Sequence, residues 1–114
     1  MSSKVDHIAV LVDDLDVAEE WYMEHLNAKI EFKDKFYTRL QLENVCIALI
    51  DKANYPCEHI GILVEDPKDL PLEKGEVVNH RDGTIGVYVK DPFGNYLEYI
   101  WYSDQQKEVF LKDG

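Results

Sequence analysis

Cysteine is scarce in this chain: Cys46 and Cys57, eleven positions apart, are the only two in 114 residues. Without a second pair they form neither a disulfide framework nor a zinc-spaced cluster, so a reducing compartment, the cytoplasm, is expected. Long apolar runs are also missing. No stretch approaches the roughly 20 residues that cross a bilayer. The opening Met1-Ser2-Ser3-Lys4-Val5-Asp6 has no hydrophobic signal core, so no secretion signal is expected. Basic residues are few as well: 12 Lys and Arg stand against 23 Asp and Glu, a formal net charge of −11. Phosphate repulsion would go uncompensated, which speaks against nucleic acid or an anionic membrane surface as a partner.

What is present is an ordinary globular composition, 46% hydrophobic and 31% charged, in a length that suits one domain over 1–114. Its most informative feature is an internal repeat. Asp6-His7-Ile8-Ala9-Val10-Leu11-Val12-Asp13-Asp14 returns 52 residues later as Glu58-His59-Ile60-Gly61-Ile62-Leu63-Val64-Glu65-Asp66. Both copies read as apolar strands closed by an acidic turn. Two copies filling the chain suggest a pseudo-symmetric domain, with one half over 1–55, another over 56–103 and a tail over 104–114.

In the first half, Asp16-Val17-Ala18-Glu19 reads as a helix start, with Asp16 as cap and Glu three positions on. Ala18, Trp21, Tyr22 and Leu26 follow at helical spacing as one apolar stripe, and Asn27 suits a left-handed end. Strands are expected at 28–32, 36–42 and 45–50, the middle one half-buried by its alternation. In the second half Pro71 allows no more than a turn or so where the helix would repeat. Strands resume at 76–78, 84–90 and 96–102, the last two joined by the turn Asp91-Pro92-Phe93-Gly94-Asn95. Val109, Phe110 and Leu111 suit a short helix in the tail. The class is α+β: strand–helix–strand–strand–strand, then an abbreviated copy.

His7 and His59 hold the same place in the two repeats, each inside an apolar strand, and Glu98 interrupts the last strand, Tyr96 to Tyr102. Taken singly, each is more often a satisfied core histidine or an outward-facing acid. A symmetry-related pair of histidines plus an in-strand carboxylate is hard to obtain by chance. Together they satisfy one another as a facial two-His, one-carboxylate triad that leaves positions open for water or substrate. The remaining candidates have plainer readings. His25 suits a helix surface, and Arg39 and Gln41 a solvated strand face, although Arg39 could also hold a substrate anion. Cys46 and Cys57 look like small hydrophobes. Tyr99, Trp101 and Tyr102 read as core or interface.

These features together resemble the vicinal oxygen chelate superfamily: His7 with its run to Asp14, the helix with Trp21-Tyr22, the His59 strand, and Asp91-Pro92-Phe93-Gly94-Asn95-Tyr96-Leu97-Glu98. That group holds glyoxalase I, extradiol dioxygenases, fosfomycin resistance proteins, methylmalonyl-CoA epimerase and bleomycin resistance proteins, and the resemblance covers essentially the whole chain. It implies paired βαβββ modules, the second with a shortened helix. It also implies a divalent metal on His7, His59 and Glu98 that chelates adjacent oxygens of a small-molecule substrate, and a homodimer.

Within the superfamily, glyoxalases and the epimerase resemble one another in a fourth Glu or Gln ligand on the last strand of the first module. Here the mate of Glu98 is Ala48, whose methyl group neither binds metal nor takes a proton, which counts against both activities. A second motif is similar to the extradiol signature: Val78-Asn79-His80, six residues, Val87-Tyr88, two residues, Asp91-Pro92-Phe93-Gly94, three residues, Glu98. The resemblance implies Fe(II) or Mn(II), with Zn(II) or Ni(II) as alternatives. It gives Tyr88 the role of bonding substrate oxygen and His80 that of tuning the shell. Two departures separate the chain from extradiol enzymes: no His lies between Asn27 and Glu58, and there are two modules rather than four. Alternatives are a fosfomycin-resistance-type transferase, a glyoxalase-type lyase or isomerase, and, in another class, a metal-free bleomycin-resistance-type protein that sequesters a cationic drug.

Overall fold

The computed structural model describes residues 2–80, 83–104, 106 and 107. The fold is α+β, a mixed sheet of eight strands with one principal helix. The chain divides into two compact units, one over His7–Glu58 and the other from the described residues of Met1–Asp6 and His59–Gly114.

The first half contains β1 (Lys4–Val12), α1 (Leu15–Leu26), β2 (Lys29–Lys33), β3 (Tyr37–Gln41) and β4 (Cys46–Asp51), with strand order β2-β3-β4-β1. Strands β1 and β4 are parallel, with His7 beside Cys46 and Ala9 beside Ala48; β3 lies antiparallel to β4, with Arg39 opposite Ala48. Alternation divides the sheet into two faces. On one, Leu40 and Leu49, both 0% exposed, pack with Ala28 against Leu15, Ala18 and Tyr22 of α1. Each buried leucine contributes about 1.5–3 kcal/mol. The other face carries His7, Ala9, Ala48, Ile50, Arg39 and Tyr37.

The helix starts earlier than its sequence suggests. Asp14, not Asp16, is the cap: its Oδ1 accepts the Val17 N–H at 3.1 Å, and Asp16 falls in the first turn. The face turned to the sheet carries Leu15, Ala18, Glu19 and Tyr22, at spacings of three and four. Trp21 and Leu26 therefore leave the expected stripe and are 51% and 44% exposed. Glu19 takes a buried place instead, accepting from Thr38 Oγ1 and Lys33 Nζ, each at 2.9 Å. Those bonds offset the cost of burying a carboxylate. Asn27 ends the helix in the left-handed region at φ 52°.

The second half contains β5 (His59–Leu63), β6 (Glu76–Asn79), β7 (Ile85–Lys90) and β8 (Tyr96–Trp101), in the order β5-β8-β7-β6. Its arrangement copies the first: β5 and β8 are parallel with Gly61 beside Glu98, and β7 runs antiparallel to β8 with Tyr88 opposite Glu98. The helix shrinks to a 3-10 turn at Pro67–Asp69, begun by the Asp66 carboxylate accepting the Lys68 N–H. Leu70 then drops into a core with Val64 and Val87. In the turn between β7 and β8 the Asp91 carboxylate accepts the N–H groups of Phe93 and Asn95 at 2.8 and 2.9 Å. The Asn95 backbone N–H does most to hold the Asp91 carboxyl below its ordinary value. Beyond β8, the Ser103 hydroxyl accepts the Gln106 N–H and starts a helical turn. Val109, Phe110 and Leu111 lie outside the described residues.

Candidate metal centre

Strand alternation explains how the three ionisable residues leave solvent. His7 follows the inward phase of β1 with Ala9, and Glu98 follows that of β8 with Ile100. His7, His59 and Glu98 are only 5%, 7% and 5% exposed. His59 Nε2 lies 3.2 Å from Glu98 Oε1. One ligand atom from each of His7, His59 and Glu98 lies within 4.8 Å of the others.

This donor set fits a divalent ion. Ligand bonds of about 2.0–2.2 Å place adjacent donors on one ion about 3–3.5 Å apart, which is the His59–Glu98 spacing. Two imidazoles and one carboxylate suit Fe(II), Mn(II), Zn(II) or Ni(II), and the short backbone-borne side chains hold the donors in place.

Gly86 makes the carboxylate's position possible. A Cβ built there would stand 2.7 Å from Glu98 Oε2, so any larger residue would displace the carboxylate. The sequence reading missed this residue, because a glycine in a strand shows its purpose only once the register pairs its strand with Glu98. Tyr88, opposite Glu98, sets its ring edge against His59, with centroids 5.2 Å apart and planes at 89°. It thus borders two of the expected ligands.

His80 behaves differently. It is exposed in the turn after β6, and its side chain makes no hydrogen bond, ion pair or ring contact among the described residues. In register Glu76, not His80, stands opposite Tyr88, which in turn stands opposite Glu98, and His80 is four residues further along, about 13 Å of strand. The structure does not bring His80 to the group. A polar turn sequence sufficed to explain this histidine.

Arg39 is not on a solvated face. It is 7% exposed, and its Nε donates to Glu31 Oε1 at 3.0 Å. β3 is buried on both sides, so alternation could not mark a wet face. Cys46 Sγ lies 2.9 Å from Gln41 Oε1 and 3.6 Å from Glu31 Oε2. Cys57 is half-buried. His25 sits on the helix surface as expected, its Nδ1 2.8 Å from the Trp21 carbonyl oxygen and its ring stacked on Trp21 at 4.2 Å.

The register also settles which residue mirrors Glu98. Ala9 beside Ala48 in the first half matches Gly61 beside Glu98 in the second, so β4 places a methyl group where β8 places the carboxylate.

A family model described as the Glyoxalase/Bleomycin resistance protein/Dioxygenase superfamily matches residues 4–64. Curated protein sequences give no match. Among solved structures, methylmalonyl-CoA epimerase from Mycobacterium tuberculosis superposes with a TM-score of 0.69 at 18% identity, covering 91% of each chain. A hypothetical protein from Bacillus halodurans C-125 gives 0.67 at 17% identity, over 92% of this chain and 98% of its own. A superfamily member from Vibrio splendidus 12B01 gives 0.65 at 12% identity, over 87% and 98%. At these identities the structural likeness carries the fold.

Proposed function

The chain belongs to the glyoxalase/bleomycin resistance protein/dioxygenase superfamily, and on that premise we propose that it is a divalent-metal-dependent enzyme acting on a small molecule through two adjacent oxygens. The observation that carries this reading is the burial, in one group, of His7, His59 and Glu98. Two imidazoles and a carboxylate gathered out of water form a donor set that one divalent cation would bind.

A divalent ion held there, Fe(II) or Mn(II) first and Zn(II) or Ni(II) next, supplies Lewis acidity and adjacent open positions. The chain does the rest. His7, His59 and Glu98 fix the donor geometry, and Gly86 keeps the space that Glu98 fills. Tyr88, against His59 and opposite Glu98, offers a phenol to a substrate oxygen or a developing oxyanion. Ala48 gives β4 no carboxylate to abstract a proton from carbon. Dioxygenase-like chemistry on a catecholic substrate is therefore the first reading, ahead of a glyoxalase-type or fosfomycin-resistance-type reaction. A cytoplasmic homodimer accompanies it; no described helix is long and apolar enough to cross a membrane.

Metal analysis of protein purified without added metal tests the proposal. About one equivalent per chain is expected, lost in His7→Ala, with oxygen uptake on catechols after anaerobic Fe(II) loading. Less than half an equivalent, with binding of a cationic drug unchanged in His7→Ala, would instead establish a metal-free sequestering protein. Metal without oxygen uptake, but with thiol addition to an epoxide, would select the transferase.

A further inference from the structure

The pairing of β2 with β3 holds a carboxylate that neither the repeat nor the ligand set accounts for. Lys29 pairs with Gln41 and Ile30 with Leu40, but the register then slips so that Phe32, not Glu31, stands opposite Arg39. Such a bulge sets two consecutive residues against one and re-aims their side chains, a device common beside active sites. Here both turn to the face that carries His7. Phe32 meets Tyr37 at 5.4 Å, and Glu31 meets Arg39 at 3.0 Å.

Glu31 also reaches beyond β3. Its Oε2 lies 3.6 Å from the sulfur of Cys46 on β4, and Cys46 is the register neighbour of His7. Its carboxylate therefore reaches β4 at Cys46, two positions before Ala48, whose methyl occupies the place of Glu98 in the first half. β2 thus brings a carboxylate to the strand that lacks one. The Glu31 side chain keeps 16% exposure against 9% for Arg39, which leaves it a route for proton exchange.

We propose that Glu31 is the proton-transferring residue of this site, acting on a substrate that carries an ionisable hydroxyl among its adjacent oxygens; the assignment rests on the metal-enzyme reading above. In the step, the substrate O–H bond breaks and its electron pair stays on oxygen as an oxyanion. The proton bonds to a Glu31 carboxylate oxygen, and no oxidant or reductant is consumed. Charge balance favours this. Before transfer Glu31 and Arg39 neutralise each other, and afterwards the Arg39 cation compensates the new oxyanion in a site with little water. Among the described residues, Glu31 bonds to Arg39 and Cys46, and Gln41 bonds to the same thiol. The base that Ala48 cannot supply is thereby restored.

The test uses the full chain loaded with Zn(II), which is spectroscopically silent, and 4-nitrocatechol, whose absorption reports the ionisation of its hydroxyls. Wild type and Glu31→Gln are both expected to bind the probe as its anion and to hold equal zinc, but wild type should release about one proton fewer per chain to the buffer, because Glu31 retains the proton that the probe loses. Proton release is read by titration calorimetry in two buffers of different ionisation enthalpy, and Glu31→Asp should recover part of the retention. If Glu31→Gln fails to fold because Arg39 is left buried and uncompensated, Glu31→Gln with Arg39→Gln removes both charges and must show the same extra proton release. Zinc-loaded wild type that leaves the probe's spectrum unchanged, or proton release that coincides between wild type and these variants, overturns the role of Glu31 alone. Wild type that takes up no zinc overturns the metal reading and this inference with it.

Discussion

Gly86 is where the geometry of single atoms decides most. The Glu98 carboxylate is buried, lies 3.2 Å from His59, and occupies the volume a side chain at position 86 would need. Gly86→Ala is therefore expected to displace one ligand while leaving the strands paired. The overpacking should cost about 1–3 kcal/mol of stability, and metal affinity should fall at least about tenfold. Isothermal titration with Mn(II), read beside a urea melt, checks this; unchanged affinity would mean that Glu98 is not held where the metal needs it. The legibility of the site also divides at this scale. His7, His59 and Glu98 stand out in the sequence because an ionisable residue breaks an apolar strand, and twice it does so at the same repeat position. Gly86 and Glu31 carry no such mark, since the role of each depends on a neighbour brought by strand register. Arg39 misled for a related reason: polar alternation implies a wet face only where a strand has one.

Elements were legible wherever a local rule and the core agreed. The left-handed end at Asn27, the turn at Asp91 and the lost second helix before Pro71 follow from backbone chemistry within a few residues. The bulge in β2 does not, because a slipped register is a relation between two strands. The start of α1 lies between these cases. Both Asp14 and Asp16 can cap a helix, and Asp16 has the better local motif, yet the sheet needs Leu15, Ala18 and Tyr22 on one side. Asp14→Ala should then cost about 1 kcal/mol, the usual worth of a cap. Asp16→Ala should cost a few tenths at most, through its exposed pair with Lys33. Urea denaturation of the two variants decides between the frames; the reverse order would return the cap to Asp16.

At the scale of the molecule, the proposed ligands sit at positions 7, 59 and 98 of 114, so an unfolded chain offers no preformed site. Metal binding to the native state then adds directly to its stability. At a free metal concentration one hundred times Kd the gain is about 2.7 kcal/mol. For a chain of this size that corresponds to a rise in Tm of about 10 °C. Chelation should reverse the rise, and His7→Ala, Glu98→Gln and wild type should show similar Tm values once metal is removed. The net charge of −11 gives this coupling a second signature. An acidic molecule concentrates cations around itself and loses that attraction as salt screens it, so apparent metal affinity should weaken several-fold between low salt and 0.5 M NaCl. The chemistry of three buried donors should persist, so the metal-dependent step in Tm should shrink with salt and not vanish. A step of equal size in His7→Ala would place the stabilising ion on the acidic surface and away from the triad. That comparison separates the diffuse field of the chain's many carboxylates from the specific bond proposed for Glu98.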